Sequence, residues 1–207
     1  MCINFLFNSK NINSVNYLEL GAYDPCSGSN TYFFYKNNNS GILIEADSNR
    51  IHKIKEKRPK DKVLNIGIGI NDNESEADFY KFEEPAHNTF DKNEAEFREK
   101  NGSYKLIEIC KVKMTSINKI IAENYKSGYP DFLSIDIEGF DFEVLNHLDH
   151  NTYPIPVICA ETCKYSENHI KEKDKRFEKL MESKGYFIYA DTYINTIFVN
   201  KNWFYNS

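Results

Sequence analysis

Two rhythms of apolar and polar residues alternate along this chain. Short β-prone runs end in glycine or an acidic residue, and stretches with apolar residues at helical spacing separate them. Tyr17, Leu18 and Leu20 make the first run, interrupted by Glu19 and closed by Gly21. A short helix is expected from Ser29 or Asn30 to Lys36, then a second strand from Gly41 to Ala46. Asp47 or Ser48 can cap a helix that turns Ile51 and Ile54 inward and stops before Pro59. Val63–Ile70 reads as strand three, loosened by Gly67 and Gly69. Ala77–Phe82 reads as an added strand, and 88–100 as a polar helix. Leu106–Met114 alternates as a strand, with Thr115 capping a helix that buries Ile117, Ile120 and Ile121.

Phe132–Ile137 is the next buried strand, followed by a helix carrying Phe142, Leu145 and Leu148. Pro156–Ala160 leads a strand ending in Glu161, and Ser166 is the expected cap of the helix that Gly185 closes. Tyr186–Ala190 and Thr196–Val199 then form a terminal hairpin. Strands alternating with helices predict an α/β fold, a mostly parallel central sheet with an antiparallel C-terminal hairpin. With 207 residues and no visible linker, one domain over residues 1–207 is expected.

Composition narrows the function. A formal charge of −5 argues against nucleic acid as a partner, which needs a basic face. No run reaches the length of a membrane span, and MCINFLF lacks the basic residues that open a signal peptide. Five cysteines without CxxC pairs read as reduced thiols of a cytoplasmic protein. The chemistry centres on VNYLELGAYDP. A strand opening into a glycine turn lets backbone approach a ligand closely. Glu45, in SGILIEAD, follows at about the 20-residue distance at which a carboxylate grips ribose hydroxyls. The pair predicts a nucleoside-type cofactor.

LELGAYDP with SNTY, then GILIEAD, RPKDKVLNIGIG, DFLSIDIEGFDFEVL and PVICAET, together resemble the FkbM family of S-adenosylmethionine-dependent methyltransferases. The resemblance runs from about Tyr17 to Glu161 and rests most on DFLSIDIEGF. It implies the Rossmann-like class I methyltransferase fold and S-adenosylmethionine as cofactor. It also implies roles: Gly21 and Ala22 under the methionine part, Glu45 with Ala46 at the ribose, and the segment Asn65 to Ile68, with Gly67 and Ile68, along the adenine. Glu19 and Asp24 belong to the acidic–glycine turn. Ser29, Asn30 and Thr31 open a helix whose N–H groups meet the cofactor carboxylate. Asp136 falls where methyl donor and acceptor meet. Pro25-Cys26 stands where related folds have a more glycine-rich loop.

Methyl transfer from a sulfonium is an in-line displacement that needs alignment and removal of a hydroxyl proton. Asp136, Glu138 and Glu161 are the candidate catalytic carboxylates. Glu138 also suits a helix start, where the dipole favours a negative charge. Asp136 and Glu161 offer oxygen ligands to a divalent ion, but without a clear third ligand no metal site is assigned. His87 and His169 are further candidates, and Phe90 or Tyr165 could line an acceptor pocket. The expected reaction is methylation of a hydroxyl on a small polar or sugar-like acceptor, in polysaccharide or natural-product tailoring. The alternatives are N-methylation, a non-catalytic nucleotide binder, and nicotinamide chemistry, which GAYDPCSG does not favour because it lacks G-x-G-x-x-G.

Overall fold

The computed structural model describes residues 2–206 apart from 74, 103, 127, 138 and 165–171. In chain order its elements are α1 (Cys2–Ser9), β1 (Tyr17–Leu20), α2 (Tyr32–Lys36), β2 (Gly41–Ile44), α3 (Ser48–Lys57), β3 (Lys62–Leu64), β4 (Gly67–Gly69) and β5 (Ser75–Phe82). They continue as α4 (Lys92–Lys100), β6 (Leu106–Ser116), α5 (Ile117–Asn124), β7 (Phe132–Ile135), α6 (Asp141–His147), β8 (Val157–Glu161), β9 (Cys163–Lys164) and β10 (Glu172–Lys173). The last are α7 (Lys175–Ser183), β11 (Tyr186–Asp191), β12 (Asn195–Asn200) and α8 (Lys201–Asn206).

Seven strands form the central sheet in the order β11-β12-β8-β7-β1-β2-β3. The five from β8 to β3 are parallel, and β12 runs antiparallel to β8. The sheet is apolar on both sides, as a parallel sheet covered by helices must be. Leu18, Leu20, Leu133, Ile135 and Ile158 pack on one face with α5, α6 and α7. Tyr17, Leu43, Phe132, Val157 and Ile197 pack on the other with α1 and α2.

Three local differences from the sequence reading have physical causes. The run expected as one strand from Val63 to Ile70 breaks after Leu64, and Gly67–Gly69 leaves the main sheet to pair with β6. β6 extends to Ser116, so Thr115 pairs with Ile68, and the Ser116 hydroxyl caps α5 by accepting from the Lys119 N–H. Asp174 caps α7 by accepting from the Arg176 N–H, because Glu172–Lys173 is extended; the expected cap Ser166 lies outside the described residues. Terminal helices α1 and α8 were not anticipated. They hold each other through aromatic contact, with the Phe7 and Trp203 rings 5.6 Å apart.

Candidate active site

β1, β2, β7 and β8 end level with one another. Leu20 pairs with Ile44 and with Ile135, and Ile135 pairs with Ala160. The next residues out, Glu45, Gly21, Asp136 and Glu161, therefore form one row, which Asn195 extends onto β12. Side chains alternate along a strand, so this row shares a face with the row behind it: Leu43, Glu19, Ser134, Cys159 and Ile197.

A cleft of about 810 Å³ opens over the β2–β1–β7 part of the row. Gly21, Glu45, Ala46, Gly67, Ile68 and Asp136 all line it. Gly21 has φ +83°, and its bare Cα faces the Asp136 carbonyl, where a Cβ would overlap. Glu45 is 7% exposed, and burial pushes its carboxyl up to about 6 even though it accepts the Asp47 N–H at 2.7 Å. At the far end, Gly67 lies under Met114 and Phe90, and the Phe90 and Phe79 rings sit 4.6 Å apart. One end of the cleft is thus apolar and the other carboxylate-rich.

Three residues in or near the cleft were not among the sequence-predicted site residues. The Asp47 carboxylate meets Lys81 at 3.4 Å and accepts from the Asn88 amide at 3.3 Å, which ties the β5 side of the cleft to α3. Arg50 stacks its guanidinium 3.6 Å over the Tyr23 ring and donates to the Tyr23 carbonyl at 2.9 Å. Tyr23 stood inside GAYDP, but nothing local marks Arg50 as its partner.

Asp141 is the third. It is 2% exposed, and its Oδ1 has no hydrogen-bond partner. Burial first, then the charges of Asp136 and Glu161, push its carboxyl up to about 8. An acidic residue opening a helix was the available signal, and it reads equally well as a dipole partner.

Other candidates lie elsewhere. Glu19, 4% exposed, accepts from Ser29 at 2.8 Å, from Thr31 at 2.5 Å and from Arg58 at 3.2 Å. Arg58, fully buried, also reaches Asp61 at 2.6 Å and Thr31 at 2.8 Å. Glu19, Ser29 and Thr31 are therefore engaged with one another behind the glycine turn rather than at the cleft wall. A buried carboxylate needs such partners, and the neighbouring hydroxyls and guanidinium supply them. Asp24 accepts the N–H groups of Cys26 and Ser27 and pairs with Lys53 at 2.7 Å, which shapes the turn at Pro25-Cys26. Ala22 is buried against the α1–α2 side. Ser29 and Asn30 line a second, smaller cavity.

Glu161 closes the row beside Asp136 but does not wall the large cleft. The His87 ring lies 3.6 Å from the Tyr104 ring, tilted by 39°, and burial and Arg98 lower its pKa. Glu138, Tyr165 and His169 lie outside the described residues. Among the described residues, no group of three or more His, Cys, Asp or Glu side chains is arranged to hold a metal ion. No helix among them is long and apolar enough to cross a membrane.

The lining fits a nucleoside sulfonium such as S-adenosylmethionine. The glycine admits ligand against backbone, Glu45 offers a buried acceptor for hydroxyls, and the aromatic–thioether end suits a flat heterocycle. Magnesium protoporphyrin IX methyltransferase from Synechocystis PCC 6803, solved with bound SAM, superposes with a TM-score of 0.47 at 8% identity, covering 96% of this chain and 76% of that one. A TehB-like SAM-dependent methyltransferase from Corynebacterium glutamicum ATCC 13032 gives 0.47 at 9% identity, covering 97% and 88%. No curated protein matches the sequence. The methyltransferase FkbM domain matches residues 19–188, most of the chain and all of the row except Asn195. The protein accordingly belongs to the FkbM methyltransferase family and is an S-adenosylmethionine-dependent methyltransferase.

Proposed function

We propose that the enzyme methylates a hydroxyl of a small polar or sugar-like acceptor, with Asp136 as the group that takes the proton. The observation that carries this reading is the adjacency of Asp136 and Glu161 in the row, beside the glycine turn and outside the ribose end of the cleft. The cofactor supplies an electrophilic methyl on a sulfonium. This chain's residues have to align the acceptor and receive its proton. When bound, S-adenosylmethionine would supply that methyl to the acceptor oxygen and keep the electron pair of the carbon–sulfur bond. The Asp136 carboxylate would receive the hydroxyl proton. Gly21 supports close approach, Glu45 anchors the ribose, and Gly67 and Ile68 border the base. Asp141 lies close enough to Asp136 and Glu161 for their charges to raise its carboxyl.

Release of S-adenosylhomocysteine, measured against sugar nucleotides, glycosides and small alcohols, tests the reading. A turnover signal from a hydroxyl acceptor that falls about 10²–10⁴-fold in Asp136→Asn is expected. Turnover on amines only would replace it with N-methylation, and a fully active Asp136→Asn enzyme would place the proton acceptor elsewhere.

A further inference from the structure

One wall of the cofactor cleft comes from outside the seven-stranded sheet. Between β5 and α4, Asn88, Thr89, Phe90 and Asp91 line the cleft beside Phe79 of β5 and Met114 of β6. Backbone and side-chain bonds fix this segment. Tyr80 and Thr89 exchange backbone hydrogen bonds at 2.9 and 3.1 Å, and the Thr89 hydroxyl accepts the Asp91 N–H at 3.0 Å. Asn88 accepts the Phe82 N–H at 2.8 Å and donates its amide to Asp47, just past Glu45, at 3.3 Å. The segment is therefore tied to the loop that carries Glu45.

Phe90 is held from two sides. The Phe79 ring backs it at a centroid distance of 4.6 Å, and its edge sits over the bare Cα of Gly67, where a Cβ would lie 2.7 Å from Phe90 Cζ. A fixed, half-buried ring on the wall of a nucleoside cleft is a stacking platform for a flat base.

A platform accepts any base; polar groups at its edge choose among them. Among the described lining residues, Asp47, Glu94 and Asp91 bring carboxylates to this end. Asp47 is engaged by the Asn49 N–H at 3.1 Å, by Asn88 and by Lys81 at 3.4 Å, and Glu94 pairs with Arg98 at 2.5 Å. Asp91 accepts the Asn93 and Glu94 N–H groups at 2.7 and 3.2 Å through Oδ1 alone, which leaves Oδ2 for a ligand. An ionised carboxylate only accepts, so it favours an amino group on the base over a carbonyl.

The geometry points to the β5–α4 segment as the reader of the cofactor's base, with Phe90 stacked on the adenine and Asp91 Oδ2 accepting from its 6-amino group. This moves Phe90 from the acceptor pocket, where its sequence position suggested it, to the base. The assignment rests on S-adenosylmethionine as cofactor and on nothing about the acceptor, so it stands or falls apart from the hydroxyl reading.

Calorimetry with S-adenosylhomocysteine and its 6-oxo analogue S-inosylhomocysteine tests it in the parent, Asp91→Asn and Phe90→Leu. The parent should prefer the 6-amino ligand by about tenfold or more. Asp91→Asn keeps the helix cap, because an amide oxygen accepts the same N–H groups, and its NH₂ can donate to the 6-oxo group. Its preference should shrink to about threefold or less, or invert. Phe90→Leu keeps apolar bulk against Phe79 and loses the aromatic face. Both ligands should then weaken alike, by roughly 5- to 150-fold, the usual worth of a base–aromatic stack. Circular dichroism matching the parent's reports that a variant is folded, and the Asp91→Asn result decides even where Phe90→Leu is not. Equal affinity of the parent for the two ligands, an unchanged preference in Asp91→Asn, or full affinity in folded Phe90→Leu would each overturn the assignment. A parent that binds neither ligand would take the cofactor and this assignment down together.

Discussion

Gly21 and Asp136 touch through backbone: the missing side chain of the first leaves room for the carbonyl oxygen of the second. The contact continues the β1–β7 ladder, in which the Asp136 N–H donates to the Leu20 carbonyl at 3.1 Å. The turn and the Asp136 backbone are therefore one rigid unit. Gly21→Ala should lose about 1–2 kcal/mol from its left-handed φ alone, and more from overlap with the Asp136 carbonyl. Urea unfolding measures the loss, and S-adenosylhomocysteine titration should show binding abolished. A stable, binding-competent Ala variant would mean that the turn relaxes freely.

Glu45 should be worth about 1.5–3 kcal/mol to the cofactor through charge-assisted hydrogen bonds. Glu45→Ala then weakens S-adenosylhomocysteine roughly 10- to 150-fold while the fold is retained. Its carboxyl sits near 6, against an ordinary 4.5. The folded protein holds this proton more tightly than the unfolded chain, so the residue's contribution to unliganded stability falls as pH rises through that window. Ligand affinity runs the other way, dropping as pH falls below about 6, because the hydroxyls need the anion. Calorimetry from pH 5 to 8 checks the slope, which Glu45→Gln should flatten.

Asp141 predicts a pH dependence of stability. The unfolded chain releases this proton near 3.8, while the folded protein keeps it until about 8. Its contribution to stability is greatest below the lower value, declines between the two, and is gone above pH 8. Asp141→Asn cannot ionise, so its melting temperature should vary less with pH from 5 to 8 and match or exceed the parent's at pH 8. A parallel shift of the whole curve would show a structural role without titration.

Arg58 joins the glycine turn to two strands. Its guanidinium reaches Glu19, Asp61 and Thr31, and Asp61 in turn accepts the Gly41 N–H at 2.8 Å and the Tyr17 hydroxyl at 2.8 Å. Arg58→Met removes the cation and strands two buried carboxylates, a loss of about 3–5 kcal/mol. Chemical denaturation should show it. Adding Glu19→Gln to Arg58→Met should recover part of the loss, and strict additivity of the two substitutions would exclude coupling.

The strand–helix order, the parallel sheet and the Gly21–Glu45 pair were legible from sequence, because strand runs such as YLEL and FLSI are continuous and apolar and glycine or acid marks their ends. The resemblance puts Glu19, Ser29 and Thr31 near the ligand, and a strand-end acid next to a glycine turn has the same local pattern whether it faces a cofactor or a buried arginine. Only the tertiary structure reveals the buried partner of Glu19 and Thr31, by bringing Arg58 across from the end of α3. It also decided that Gly67 and Ile68 leave the main sheet, because β6 offers them a partner far away in sequence. Asp141 joins Asp136 and Glu161, and Asn195 reaches the row, through pairing of β7, β8 and β12. Periodicity sees neighbours within a few residues; burial and ion pairing depend on which distant strands the sheet sets side by side.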